Sequence, residues 1–579
     1  PRNPFRTEAT PGFQGRNVML YFDPVDLPDA RFRQSRDSAR AVLGARGAVG
    51  WRWHWVLDGF ADLSQSRAQV RSYGASLNDL TRIWSPLRTG ALSFVYDPLA
   101  DHRAAPISPE LRDRYLARDS RLDYRSQIAG ADFRVGGNVF ELPAGPLRIA
   151  LGAEYAWRDL TTRQEVAASQ DLYAVLRTLS NVPSPNLLRT TEDRGHRIGG
   201  VAEAVVPLIH GKKQRVPLQS AELNLASRAA RTDRGKPAWS SLAALKVAPS
   251  TAWALRGTIS QGHVTPESSL IEGPMVETRT IAGVRDPLRG GGLHIYPLTM
   301  IRGGSHALRA ETSQSRVMGL LFTPARAPGL LLSLDAWSIT MKDRLRVPTV
   351  QEMVNHSQYF PGKLERGAPQ PWEFALGWAG PVTSVDLRPI HVTQLRAEGL
   401  DVGLRYRLPP LRAGTFTLNG QMEIVERYDE QFLPATALVD KVDVVADASS
   451  GGLMESAVVS PRARASLAWQ RAAWSASVGM TYTPPYRTES TTPSAALPGA
   501  TGLDGEFIGS STRWDLQLGY TAGRGERGLR RWISDTTWTL GVRNVFDTEP
   551  PYRSDGTSFY SRFDDPRMRF VYVRAQWRR

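Results

Sequence analysis

The sequence contains no cysteine, which excludes disulfides and every metal site built on thiolates. It also has no run of eighteen or more apolar residues, so no segment qualifies as a transmembrane helix. His-x-x-Glu-His and Glu-x-x-His spacings are missing among the nine histidines (54, 102, 196, 210, 263, 294, 306, 356 and 391), so neither spacing points to a metal site. No serine sits in a Gly-x-Ser-x-Gly elbow. The chain opens at Pro1 with no basic, apolar, small-residue leader pattern; for an exported protein this reads as an N-terminus removed or never included. These absences set aside disulfide scaffolds, helical membrane proteins, zinc peptidases and α/β-hydrolases, and no cofactor is expected.

What remains is long and basic. The 579 residues carry 72 Lys+Arg against 57 Asp+Glu, a formal charge of +15. Nucleic-acid binding would gather such charge on one patch or arm. Here the arginines are spread along the chain, as expected for side chains lining a polar lumen or meeting lipopolysaccharide phosphates. Mean hydropathy is −0.32, which resembles a soluble protein. Membrane β-strands give such averages too, because apolar and polar residues alternate along them.

That alternation is the dominant pattern. Leu147, Ile149, Leu151, Ala153, Tyr155 and Trp157 share one parity, and Arg148, Ala150, Gly152, Glu154 and Ala156 the other. Successive side chains of a strand face opposite sides of its sheet, so one face is apolar and the other polar or small. The same grammar recurs at 400–407, 415–424, 462–469, 513–520 and 537–543. Tyr155, Trp157, Tyr406, Trp469, Trp514 and Tyr520 lie toward the ends of the apolar faces, where an aromatic girdle at a membrane interface belongs. A soluble sandwich has no reason to repeat that placement.

Connection lengths alternate almost throughout, with the longer, basic 521–534 turn as an exception. Short links fall near 138–145, 208–219, 247–252, 324–329, 408–414 and 470–473, and long ones near 166–195, 266–307, 345–391, 430–456, 486–511 and 549–565. Outer-membrane barrels pair short periplasmic turns with long extracellular loops, so the long links are expected outside the cell. The predicted fold is all-β, a transmembrane antiparallel barrel with about 17 visible strands, from 39–47 to 566–577. Both end strands run toward the short-turn side. Closed barrels of this kind normally have an even count, so the pattern reads as part of a probable 22-strand barrel, with a gap or strained seam between the two end strands. The whole of 1–579 is taken as one partial barrel, with 1–36 as a lead-in and 37–579 as strands and loops.

Several motifs then resemble a known family. The stretch WTLGVRNVFDTEPPY (538–552) is similar to the penultimate-strand signature of TonB-dependent receptors, and PRMRFVYVRAQWRR (566–579) to their closing strand, although that strand usually ends in an aromatic and here Trp577 is followed by two arginines. The segments 308–324 with 328–345, 395–409 and 255–271 resemble further barrel strands of the family in the right order. The resemblance spans roughly residues 36–579 and has no counterpart for the family's plug or energy-coupling segment. It implies an outer-membrane receptor of a Gram-negative cell, not an enzyme, for active uptake of a scarce nutrient of siderophore, vitamin or oligosaccharide type. Implied partners are the inner-membrane TonB complex, the barrel-assembly machinery, outer-membrane lipid and lipopolysaccharide, and a small-molecule ligand; nucleic acid is not among them. The alternatives are a plugless passive pore and a soluble basic β protein.

Two groups of residues invite a site. Glu154, Glu311, Glu398, Asp335, Asp401 and Asp515 fall on polar faces with Arg148, Arg256, Arg405 and Arg513. They read as a lumen network bracing the wall rather than as acid–base pairs. The 345–391 link is long for an unstructured connection and holds a candidate short helix in 350–360. Its aromatics Tyr359, Phe360, Trp372, Phe374 and Trp378 are the candidate ligand contacts, with packing of the loop on itself as the plainer account. The glycines after Arg289 read as a flexible loop.

Overall fold

The computed structural model describes residues 31–50, 52–73, 117–168, 187–211, 216–233, 237–266, 268–271, 274–305, 307–431, 437–446, 458–489, 507–523, 536–552, 560–561 and 563–577. The wall begins with β1 (Arg31–Val49), β2 (Trp53–Tyr73), β3 (Ala117–Leu142) and β4 (Gly145–Ala168). It continues with β5 (Leu187–His210), β6 (Ser220–Thr232), β7 (Ala238–Ala248) and β8 (Trp253–Val264). The chain then leaves the wall for β9 (Pro274–Arg285) and β10 (Leu293–Gly303), and returns as β11 (Glu311–Phe322) and β12 (Leu330–Arg346). A second excursion holds β13 (Leu364–Arg366) and β14 (Val382–Asp386) before β15 (Ile390–Arg407) and β16 (Thr415–Glu430). The short β17 (Val439–Asp440) and β18 (Val444–Ala446) precede β19 (Arg462–Arg471) and β20 (Trp474–Thr483). After β21 (Tyr486–Glu489) and β22 (Phe507–Ile508) the wall ends with β23 (Ser511–Thr521), β24 (Thr536–Arg543) and β25 (Phe570–Trp577).

Eighteen strands form one sheet. One of them, β17, is two residues long and pairs only with the end of β16. Eighteen less one leaves the seventeen wall strands that the alternation predicts. Each wall strand pairs antiparallel with the next wall strand in the chain, from β1 to β25. The first begins at Arg31, ahead of residue 37, where the sequence places the start of strands. Among the described residues no ladder joins β1 to β25, so the sheet has two edges.

The register gathers the apolar parities into continuous rows. Val247, Leu255, Leu320, Leu334, Val402, Met422 and Ala463 stand directly opposite one another across successive strands. Leu518, Leu540 and Val573 form another such row. These side chains stay substantially exposed, as with Val573 at 69% and Leu255 at 48%. A soluble domain would bury them; a lipid-facing belt leaves them for the bilayer. Toward the short-turn end the same face turns aromatic. Trp253 packs on Phe322 with centroids 4.1 Å apart, Trp474 on Tyr520 at 4.9 Å, and Tyr520 stands opposite Trp538.

The opposite face is polar and cross-braced. Arg256, Gly319 and Asp335 share one row on three neighbouring strands. The guanidinium passes over the glycine and donates to both Asp335 oxygens, at 2.8 and 2.6 Å. A Cβ at Gly319 would collide with both partners. Gln517, Gly541 and Tyr572 repeat the device, with Gln517 Nε2 donating to Tyr572 Oη at 2.7 Å. Arg228 likewise reaches Glu154 on the strand beyond its neighbour. Neighbouring strands lie about 4.8 Å apart, so such reach succeeds where side chains converge, on the concave side. The polar face therefore lines the lumen.

Candidate functional site

At the end of the wall opposite the short turns, two long connections fold together. From the 265–310 connection come β9 and β10, which pair antiparallel. From the 347–389 connection come β13 and β14, and β14 lies parallel to β10. The resulting four-stranded sheet runs β13-β14-β10-β9. Its core holds Val284, Tyr296, Leu298, Met300, Met353, Val354, Phe360, Val382, Val385 and Leu387, with Tyr359, Val350, Leu364 and Ile390 packed against it. The sequence alone does not join these two connections. Tyr296, Leu298 and Met300 alternate as a strand should, yet their partner β14 lies far along the chain.

Helix α1 (Val350–Asn355) covers this sheet and falls within the predicted 350–360 segment. Its start is a capping box, in which Thr349 Oγ1 accepts from the Glu352 amide at 3.2 Å and Glu352 accepts from the Thr349 amide at 2.9 Å. A second helical turn, α2 (Pro371–Ala375), carries two of the candidate aromatics.

Buried charges hold α2 in place. Asp286 is fully buried. It receives Arg366 at 2.8 and 2.9 Å, the Tyr296 hydroxyl at 2.8 Å and the Leu288 amide at 3.1 Å. Burial pushes the Asp286 carboxyl up, but these four donors outweigh it and hold it below the ordinary carboxylate range. Burial and the neighbouring Asp286 push the Tyr296 phenol far above its usual value. Arg289 and Glu373 form a buried pair, and Arg289 also donates to the Ala379 carbonyl at 2.8 Å. Bonded to Arg289 first and to the Gln370 amide second, the Glu373 carboxyl is held low. Lys363 and Arg388 flank Asp386 at 2.9 and 2.8 Å. Desolvation opposes its charge, yet these two cations keep the Asp386 carboxyl well below the ordinary range.

The five candidate aromatics divide. Phe360, 3% exposed, and Tyr359 serve the core, so a buried Phe360 has no surface to offer a ligand. The others form a ledge. Trp372 is 57% and Phe374 76% exposed. Trp378 stands edge-on to Trp372 at 5.9 Å and to His294 at 5.9 Å, over the Arg289 guanidinium at 5.7 Å. Arg289 is the residue that sequence reasoning missed. The run after it is no loose loop: Gly290 caps a 3-10 turn in the left-handed region, φ 73°, beneath Trp378.

Most of the carboxylates that the sequence singles out are committed to the wall. Asp335 is held by Arg256 and Glu154 by Arg228; Glu398, expected on the polar face, shares the parity of Leu400 and Val402 and so lies on the outer face, where Arg396 at 2.8 Å and Ser338 at 3.1 Å bind it. Glu311 accepts the Leu345 amide at 2.9 Å, and Asp515 the Asn544 amide at 2.9 Å. Asn544 itself is left-handed, φ 52°. Its side chain exchanges two hydrogen bonds with Thr548, at 2.8 and 2.9 Å. That is the physical content of the RNVFDT segment, since asparagine tolerates this conformation and closes its own turn.

A second small cluster occupies the same end. Val445, Val459, Tyr486 and Ile508 are buried together with Phe563 against them, around the sheet β18-β21-β22.

Comparison with known proteins agrees with this architecture. Residues 3–545 match the family described as TonB dependent receptor-like, beta-barrel. The siderophore receptor PirA of Acinetobacter baumannii is similar in structure with a TM-score of 0.52 at 11% identity, over 94% of this chain and 71% of that one. A variant of the ferric enterobactin receptor PfeA of Pseudomonas aeruginosa, in complex with enterobactin, gives 0.50 at 12% identity, over 94% and 71%. FpvA of P. aeruginosa, bound to heterologous pyoverdines, gives 0.50 at 10% over 93% of this chain and 56% of FpvA. No curated protein matches the sequence. At such identities the likeness establishes the fold.

Proposed function

The chain belongs to the TonB-dependent receptor family by its β-barrel, a barrel of the Gram-negative outer membrane, and we propose that it captures a scarce small-molecule nutrient for active, TonB-coupled uptake. Members of this family are transporters, not enzymes. The observation that carries the proposal is the folded module at the long-loop end. Two connections there share one core, and buried ion pairs fix a ledge of exposed Trp372 and Phe374 beside half-buried Trp378. Ordering so much chain costs conformational entropy, and a hole for free diffusion gains nothing from it. A rigid aromatic surface does suit capture of a flat or ring-bearing solute.

In this reading the module faces the outside, Trp372, Phe374 and Trp378 contact the ligand, and the inner-membrane TonB complex supplies the work. Lipopolysaccharide and lipid meet the apolar belt, and the barrel-assembly machinery inserts the wall. The solved structures similar to it include a ferric enterobactin receptor and FpvA bound to pyoverdines, so ferric siderophores are the first probes to try. The whole receptor is expressed in cells with and without a functional TonB complex, and uptake of a panel of labelled ferric siderophores, cobalamin and maltooligosaccharides is followed. Saturable uptake of one probe that requires TonB and falls severalfold in the double substitution Trp372→Ala, Phe374→Ala supports the proposal. Unsaturable uptake of many probes, indifferent to TonB, supports the passive pore instead.

A further inference from the structure

The lumen wall under the second loop cluster holds three guanidinium groups that the protein itself compensates only in part. Arg464 stands opposite Thr481, and Thr481 opposite Arg513, in one row across β19, β20 and β23. Arg543 ends β24 beside the Tyr572 ring, 5.8 Å from its centroid. The parity that puts Ala463, Trp514 and Val542 in the lipid belt puts all three arginines inside. Together with Thr481, Gln517 and Tyr572 they line a single cavity of about 390 Å³, ample for a small ligand.

Compensating charge is short there. Asp515 lies 3.6 Å from Arg513 Nε and already accepts the Asn544 amide. Arg513 Nε is itself buried without a hydrogen-bond partner. Asp565, also on the cavity, is taken up by Arg567, whose Nε and Nη2 reach its oxygens at 2.9 and 2.5 Å. Among the described residues neither Arg464 nor Arg543 meets a carboxylate. Elsewhere on the same inner face Arg256 is answered by Asp335 and Arg228 by Glu154.

We propose that Arg464, Arg513 and Arg543 form a lumen site for a solute bearing two or more carboxylate or phosphate groups. Guanidinium forks match planar oxyanions bidentately; Thr481 and Gln517 add donors, and Tyr572 a ring face. The position favours a mobile solute over a protein segment filling the lumen, because each arginine sits at the long-loop end of its strand, at the mouth. It also separates the site from lipopolysaccharide, whose phosphates lie against the outer face. The inference rests on the receptor reading and names the charge of its cargo.

The test is calorimetric titration of the purified full receptor in zwitterionic detergent with citrate, acetate and glycerol. Saturable citrate binding is expected, steeply weakened by added salt, with little binding of acetate and none of glycerol. Arg513→Gln and Arg464→Gln should each weaken citrate about tenfold, the loss of one charge-assisted contact. Lys246→Gln removes one charge from the same inner face away from the cavity, on a strand partnered with Arg256, and should change affinity less than twofold. Heat-modifiable gel migration verifies that each variant is still a folded barrel. Citrate binding no better than acetate overturns the proposal. So does an equal loss in Lys246→Gln, which would mean a diffuse field, and so does competition by lipopolysaccharide micelles. TonB-dependent uptake of a neutral probe without citrate binding would leave the receptor reading intact and remove this one.

Discussion

At the level of single residues, parity separates two kinds of cost. Leu404 stands opposite Leu332 and Gly420 in the apolar belt, whereas its neighbour Gly403 shares the inner face with Ser333 and Gln421. A charge at mid-strand on the lipid side loses its hydration with nothing in exchange. Leu404→Arg should destabilise the barrel by roughly 2–4 kcal/mol, against a milder effect for Gly403→Arg, whose side chain enters a wet lumen. Urea unfolding in lipid vesicles ranks the two; the reverse order would put the register on the wrong face. Asp286 allows a sharper test. Its carboxyl is held below the ordinary range, so its contribution is fully present above about pH 4, the unfolded carboxylate value, and is lost as pH falls through the depressed one. Asp386 acts in the same direction. Amide exchange in 274–303 and 346–390 should therefore accelerate at acid pH before the wall strands respond. Asp286→Asn leaves the half-buried Arg366 without its counter-charge and should shrink that pH step to the part Asp386 contributes, with a loss of about 3–5 kcal/mol of module stability. Exchange equally slow in the variant would show that the pair does not hold the module.

Elements differ in how far the sequence discloses them. Wall strands were legible because their evidence is local: parity, turn residues and link lengths all lie within a few tens of positions. The predicted short links at 324–329 and 408–414 match the turns between β11 and β12 and between β15 and β16. The module was not legible, because its sheet is made by β10 meeting β14 across an intervening hairpin of the wall. Phe360 shows the consequence: an aromatic in a long connection suggests a contact surface, and only the distant Leu298 and Val385 reveal it as core. Trp372 and Phe374 kept the exposure that the sequence suggested because α2 is pinned from beneath by Arg289 through Glu373. The absence of cysteine makes the orientation directly testable. Phe374→Cys in the whole receptor should react with a membrane-impermeant maleimide on intact cells. Reaction only after the outer membrane is ruptured would turn the module toward the periplasm.

At the scale of the molecule, the seventeen wall strands among the described residues leave two edges, β1 and β25, and both run toward the short-turn end. Unpaired N–H and C=O groups are not tolerated in hydrocarbon, at several kcal/mol each. Two edges of the same direction are joined in antiparallel fashion by an odd number of strands, which brings the total to the even counts usual for such barrels. We expect the edges to be satisfied in that way in the assembled receptor. The central claim is nearer to hand, that this sheet is a membrane wall with lipid on one face and water on the other. A single-cysteine scan along β15, from Leu400 to Tyr406, carrying an environment-sensitive fluorophore in reconstituted receptor, tests it directly. Positions 400, 402, 404 and 406 should be quenched by a lipid-attached quencher, and 401, 403 and 405 by a water-soluble one. Uniform quenching along the strand, or the opposite alternation, would contradict the account.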